Sequence, residues 1–292
     1  IIIVTLTGDR HGRPQVDYTV NPAIGIPDIT GNEGSADPVA NAIPAWDMIA
    51  GNMCVSSLLA AERYRLRHGV GQDVEIALKD VAAAAIGHLG MIADSTLNND
   101  DRTKAGNALY GAYGKDFLCA DGNRVMIIGL TSRQWSGIVK ATDTAEQFKK
   151  LEMENNINLQ DESIRWKWRH AITEIIEPWF KIRAVKDFAG DFDRTGLTWS
   201  VFRSVKEALN ADSDLTEDNP LFKKILQPDA GEFLVPRHPA NFSKVDNSDA
   251  TPAPALGEHT EEILGDVLNL SDFEISNLFD NGVVASPNYS KN

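Results

Sequence analysis

An α/β fold that turns α+β in its middle and helical at its end is predicted by three observations. A short β-branched run, IIIVTLTG at 1–8, opens the chain as a buried parallel strand would, and DVEIALKD at 73–80 alternates like a second strand after a long helical stretch. YGKDFLCADGNRVMIIGL reads as two strands joined by an ADGN turn, with helices rich in Trp and charge after it. The tail EHTEEILGDVLNLSDFEISNLFDNGVV reads as two amphipathic helices ending in Asn-Gly. Elements in that order suggest a large domain interrupted by a smaller one. The expected divisions are 1–95 for the large domain, 96–240 for a linker and small α+β domain, and 241–292 for a second linker and helices that return to the large domain.

The elements follow in turn. Residues 8–38, rich in Gly, Pro and Asp, are expected to be mostly loop, with one apolar piece from Val16 to Ile26. From Met48 to Arg67 apolar residues recur at helical spacing, basic residues fill the last turns, and HGVGQ stops the helix with glycines. VAAAAIGHLGMIA reads as a buried helix of small residues. DSTLNNDDRTKAGN (94–107) has the composition of a linker. Helices are expected over 133–188, then a strand and helix in LTWSVFRSVKEALN, then a Pro- and Asp-rich linker over 236–255.

Composition bounds the function. With 292 residues, 42% of them hydrophobic, the chain is expected to be globular. No apolar run approaches the roughly 18–20 residues of a membrane span, so no membrane association is expected. The opening IIIVTLTGDR lacks the basic region and cleavage site of a signal peptide. A net charge of -14 argues against nucleic acid, because phosphate binding needs a basic footprint. Cys54 and Cys119 lie far apart without CxxC partners, so neither a disulfide nor zinc is expected, and a cytoplasmic setting is.

Several motifs are candidates for chemistry. Asp47 interrupts an apolar run, AIPAWDMIAG, just before the long helical pattern. As a helix N-cap it would accept backbone N–H bonds; as a half-buried carboxylate at a helix mouth it would suit a nucleophile. Composition alone does not choose. The Gly-x-Gly of GVGQ (69–72) follows a helix, whereas a phosphate cradle would precede one, so it reads as a connecting turn. Arg102, Gly106 and Asn107 crowd a domain junction, which is either a ligand site or a solvated linker. The six histidines are scattered without HxxxH or HxxE pairing, and no metal site is expected. RWKWRH (165–170) reads as a packed helix face, and the absence of a GxSxG elbow removes a serine nucleophile.

Taken in order, IIIVTLTG, the Asp before a helix, RHGVGQDVEIALKD, RTKAGNALYGAYG, DGNRVMIIGLTSRQW, APALGEHTEEILGDVLNLS and GVV resemble the class III CoA-transferases over nearly the whole chain. Within that family, VDYTVNPAIGIP, IPAWD, LLAAER, IALKDV, IGHLGMIA and GNALYGAYGKDF are most similar to members that move coenzyme A between the two carboxyls of mesaconate. The resemblance implies a Rossmann-like large domain, with its N-terminal part absent from this chain, plus a smaller α+β domain. It also implies two chains interlocked as a homodimer, an acyl-CoA substrate, and no cofactor beyond the coenzyme A of that substrate.

The family's catalytic aspartate precedes the helix that leads to the R-x-x-G-x-G-Q turn, which places it at Asp47. The racemases of the family carry a His followed by Asp where this chain has Val16 and Asp17, so the resemblance implies transfer and not racemisation. Val16, Asp17, Arg102, Gly106, Asn107 and Tyr110 are implied substrate or CoA contacts. Arg102 is the candidate cation for a mesaconate carboxylate, with His88 and Tyr110 as further options. The implied activity is intramolecular conversion of mesaconyl-C1-CoA to mesaconyl-C4-CoA. The alternatives are intermolecular transfer to a free carboxylic acid, and a non-catalytic acyl-CoA-binding fragment.

Overall fold

The structure, a computed structural model, describes residues 1–98, 101–228, 230–246 and 248–287. The chain divides into two compact units, Ile1–Phe202 and Arg203–Asn292. The junctions expected at 95/96 and 240/241 fall inside those units, one in each. The first lies between two separate hydrophobic clusters of the N-terminal unit.

The first cluster is built from β1 (Ile3–Thr7), α1 (Asp17–Ala23), α2 (Ile26–Ile29), α3 (Ala45–His68), β2 (Asp73–Ala77), α4 (Leu78–His88) and α5 (Met91–Leu97). β1 and β2 pair in parallel, Ile3 opposite Asp73 and Thr7 opposite Ala77, across a crossover that contains α3. The buried setting expected for β1 is not found: Ile3 and Leu6 are 47% and 49% exposed. In a two-stranded sheet each strand is an edge, and these side chains have no second layer over them.

Residues 17–29 form two short helices where loop was expected. Their Gly and Pro content signals turns, yet Asp17, Val20 and Asn21 fall at i, i+3 and i+4 and bury one face. The helix of small residues is likewise interrupted, because Gly90 adopts φ 76° and separates α4 from α5, which runs on into the expected linker. Val20, Trp46, Ala50, Leu78, Val81 and Ala82 pack into this cluster's core. At the far end of α3, Gly69 adopts φ 75° and its N–H closes on the Arg65 carbonyl at 2.7 Å, with Arg65, Arg67 and His68 in the last turn. Gly71 then passes so close to the backbone of Ile1 that a Cβ would sit 1.6 Å from that carbonyl oxygen. The GVGQ glycines thus serve a tight turn.

The second cluster surrounds an antiparallel sheet of β3 (Tyr113–Leu118), β4 (Arg124–Gly129) and β5 (Thr198–Val201), in that order. The hairpin turns at the expected place: Cys119 N–H donates to the Asn123 carbonyl at 2.8 Å and Gly122 takes φ 81°. Helices α6 (Ser132–Ala141), α7 (Ala145–Asn155), α8 (Glu162–Lys167), α9 (Arg169–Lys181) and α10 (Ala189–Thr195) cover it. Phe117 and Phe180 stack at 4.6 Å in its core. RWKWRH is a packed segment, as expected. Arg165 is fully buried, donating to the carbonyls of Leu159 (2.8 Å) and Leu130 (2.7 Å).

The C-terminal unit holds α11 (Val205–Ala211), an antiparallel hairpin of β6 (Phe222–Gln227) and β7 (Gly231–Pro236), α12 (Thr260–Glu262) continuing as a π turn through Val267, and α13 (Asp272–Asp280). The hairpin was not anticipated, although KKILQ and EFLVP flank a Pro-Asp turn signal. Ser271 and Glu274 cap α13 reciprocally.

Candidate active site

Asp47 lies in the first turn of α3 but does not cap it. The helix begins two residues earlier: Ala45 and Trp46 are its first two residues, and Met48 N–H closes the first turn on the Pro44 carbonyl at 3.1 Å. The N-cap position falls on Pro44, whose side chain accepts nothing. The capping reading of Asp47 is therefore excluded by geometry. Its half-buried setting is also corrected, since Asp47, Pro44 and Met48 are all exposed and only Trp46 is buried. What remains is an exposed carboxylate at the positive end of a 24-residue helix.

The cap of α3 comes from another helix. Asp17, 1% exposed, accepts the Trp46 backbone N–H through Oδ2 at 2.7 Å. One turn along α1, Asn21 accepts the Trp46 indole N–H through Oδ1 at 3.0 Å. Trp46 is thus held at both its main chain and its ring. The other polar atoms of the pair, Asp17 Oδ1 and Asn21 Nδ2, are buried without hydrogen-bond partners. Each such atom costs about 1–3 kcal/mol. Val16, the residue before Asp17, is 56% exposed at the start of α1. Asp17, expected as a substrate contact, is buried with its Oδ2 on the Trp46 backbone N–H.

The remaining candidates gather elsewhere. Arg102 pairs with Asp94 at 2.8 Å, donates to the Leu89 carbonyl at 3.0 Å, and lies over the Tyr110 ring at 4.1 Å. Its charge is already balanced by Asp94, which counts against it as the free cation for a carboxylate. Tyr110 packs on Trp166, and Trp166 carries Arg169 on its other partner contact, 4.2 Å from the ring centre. Arg102 lines a cavity of about 340 Å³ with Ile24, Ile29 and Ile92, and a second, polar one with Tyr110 and Arg169; Asp47 lines neither.

The rest of the expected linker fastens the loop that leads into α3. Gly106, at φ 60°, donates its N–H to the Gly31 carbonyl at 3.0 Å, and buried Lys104 donates to the Asp37 carbonyl. Farther along, Glu33 accepts from Arg169 at 2.8 Å and lies 3.2 Å from His170. Burial pushes the Glu33 carboxyl up, but those two partners hold it below the ordinary range. Asn107 joins Arg124 and Lys115 around Asp116. The sequence candidates therefore divide into an Asp17–Asp47 group and an Arg102–Tyr110 group, with Gly106 on the Gly31 carbonyl and Asn107 at Asp116.

Asn21 and Lys104 were missed, and Trp46 was expected only as an apolar neighbour of Asp47, without its two hydrogen bonds. These contacts span 25, 29 and 67 residues of chain, and no local spacing reports them. Among the described residues no group of three or more His, Cys, Asp or Glu is placed to hold a metal ion, and no helix is long and apolar enough to cross a membrane.

Residues 5–260 match the sequence profile of CoA-transferase family III. The chain is 46% identical over 287 residues to 2-methylfumaryl-CoA isomerase of Chloroflexus aurantiacus, covering 98% of this chain and 70% of that protein. Against succinyl-CoA:glutarate CoA-transferase of Homo sapiens the identity is 25% over 95% of this chain, which spans 61% of that relative. Two solved structures share the fold: a CAIB/BAIF family protein from Brucella suis (TM-score 0.67, 20% identity, covering 91% of this chain and 68% of that one) and Rv3272 from M. tuberculosis (TM-score 0.69, 20% identity, 89% and 68%). With a family match across most of its length and a relative at 46% identity, this chain belongs to CoA-transferase family III, a family of enzymes.

Proposed function

We propose that this chain carries the nucleophile and much of the scaffold of an enzyme that moves coenzyme A from the C1 to the C4 carboxyl of mesaconate (2-methylfumarate). The observation that carries the reading is 46% identity, over 98% of the chain, to 2-methylfumaryl-CoA isomerase of Chloroflexus aurantiacus. An exposed carboxylate at the first turn of a long, tertiarily capped helix is geometry suited to the chemistry. The Rossmann-like domain and the interlocked homodimer belong to the same reading, as do a cytoplasmic setting and the absence of a resident cofactor.

The chemistry proceeds by covalent relay. An Asp47 carboxylate oxygen attacks the C1 thioester carbonyl and expels the coenzyme A thiolate, leaving an aspartyl–mesaconyl anhydride. The thiolate attacks the aspartyl carbonyl and releases mesaconate, leaving an aspartyl-CoA thioester. The C4 carboxylate attacks that thioester, the thiolate leaves again, and its attack on the mesaconyl C4 carbonyl frees Asp47. No electrons are gained or lost overall, so the cycle needs no redox partner. A carboxylate acceptor cannot displace the thiolate productively on its own; the covalent aspartyl stage supplies the activated acyl group. Exclusion of water from the anhydride is assigned to surfaces that cover α3 in the assembled enzyme, since Pro44 and Met48 are exposed in the single chain.

A second reading, exchange with a free carboxylic acid, is favoured by the likeness to succinyl-CoA:glutarate CoA-transferase. Mesaconyl-C1-CoA is incubated with the chain and carbon-13 mesaconate, and the products are separated with mass detection. Unlabelled C4-CoA supports the intramolecular route, and labelled product supports exchange. No turnover leaves acyl-CoA binding as the activity to measure. Asp47→Asn is expected to lower transfer at least a thousandfold, an effect on the order of 4 kcal/mol in the barrier.

A further inference from the structure

We propose that Asp17 and Asn21 are positioning residues, a two-point clamp from α1 that sets the direction in which Asp47 leaves the first turn of α3. This deepens the reading of Asp47 as the nucleophile and rests on it. Three observations carry the clamp.

First, α3 has no cap of its own. Pro44 offers no acceptor, and the N–H of the second helical residue, Trp46, is ordinarily satisfied by an N-cap side chain directly upstream. Here the acceptor is Asp17 Oδ2, 29 residues away at 2.7 Å. Second, the same residue is gripped again through its ring, by Asn21 Oδ1 at 3.0 Å from the indole nitrogen. Asp17 and Asn21 are i, i+4 neighbours on α1, so one rigid helix face makes both contacts. With Trp46 fixed at main chain and side chain, the Ala45–Trp46 peptide plane is fixed, and the helical backbone angles of Trp46 and Asp47 carry that placement to the Asp47 Cα–Cβ bond. Third, Asp17 Oδ1 and Asn21 Nδ2 stay buried without partners. A Ser or Asp at position 44 would cap the helix locally without burying those two atoms. The costlier arrangement has a consequence that local capping lacks: it ties the nucleophile's turn to a second element.

The clamp is tested with Asp17→Ala, Asp17→Asn and, as a control, Val81→Ala, which opens a hole in the same core with no polar bond to α3. Two readouts are used: steady-state kinetics with mesaconyl-C1-CoA, and amide hydrogen exchange along α3. Misplacing a reacting group by about 1 Å costs on the order of a hundredfold. Asp17→Ala is therefore expected to lower kcat about a hundredfold with KM within threefold. The Asn variant keeps a carbonyl oxygen in place for the Trp46 N–H and is expected to recover kcat to within tenfold of the parent. Val81→Ala is expected to lower the melting temperature while leaving kcat near the parent value. In exchange, the Trp46 amide loses its protection in Asp17→Ala, and amides near Leu58 to Ala61 do not change.

The proposal is overturned if Asp17→Ala loses no more kcat than Val81→Ala, or if the Asn variant is as slow as the Ala variant. A parent chain that does not turn over defeats the functional reading instead. The clamp is then judged by exchange alone: unchanged protection of the Trp46 amide in Asp17→Ala overturns it, and selective loss supports it.

Discussion

At the scale of single residues, chemistry follows from which partners a group meets. Asp9, 2% exposed, shows this: burial pushes its carboxyl up, yet donors from Arg13 and the His11 N–H hold it at about 2. A depressed carboxyl contributes stability above the ordinary carboxylate value, and the contribution is lost as pH falls towards the folded value. Denaturation midpoints measured from pH 5 down to pH 2 should therefore fall less steeply for Asp9→Asn than for the parent. Cys119 points the other way: burial, reinforced by the Asp121 charge, pushes its thiol up to about 11. Alkylation of the native protein at pH 8 should accordingly label half-buried Cys54 and spare Cys119, and peptide mapping reads the ratio. Asp47 stood out in the sequence as a candidate, but its surroundings were not legible there. The run AIPAWDMIAG suggests an apolar shelter, whereas α3 rotates Met48 to solvent and turns Trp46 and Ala50 inwards.

At the scale of elements, local signals succeeded where they were sufficient. Thr131 and Gln134 satisfy each other's backbone N–H at the start of α6. Thr131→Ala should cost about 1 kcal/mol in urea denaturation, without changing the slope of the transition. The hairpin at Asp121 and the C-cap at Gly69 were similarly readable, because turn chemistry is confined to a few adjacent residues. Helices α1 and α2 were not, since α1 is held by burial of Asp17, Val20 and Asn21 and α2 by burial of Pro27, and neither by propensity. Phe180, fully buried between Phe117 and Phe192, should cost about 3–5 kcal/mol as Phe180→Ala, read in the same denaturation experiment.

At the scale of the molecule, the two hydrophobic clusters differ in completeness. The one around β3–β5 is lined by fourteen buried residues, the one around α3 by six. On α3 itself, Met48, Val55, Leu58, Leu59 and Leu66 are 44–75% exposed. The proposed homodimer predicts that such residues are covered in the assembly. Sedimentation should then report twice the 32.0 kDa chain mass. Leu59→Glu should shift it to the single-chain value.

The sequence by itself determined the family, the place of Asp47 before the GVGQ turn, the β3–β4 hairpin and the 3.6-residue apolar spacing that marks α3. Those are properties of neighbours along the chain, where spacing and turn chemistry act. Only the tertiary structure decided that Asp47 does not cap its helix, that Asp17 does so from 29 residues away, and that Arg102 is spoken for by Asp94. Only it showed that Gly106 and Lys104 fasten the loop before α3. A hydrogen bond or ion pair depends on which groups burial brings within about 3 Å, and that distance is not encoded in the local pattern of either partner.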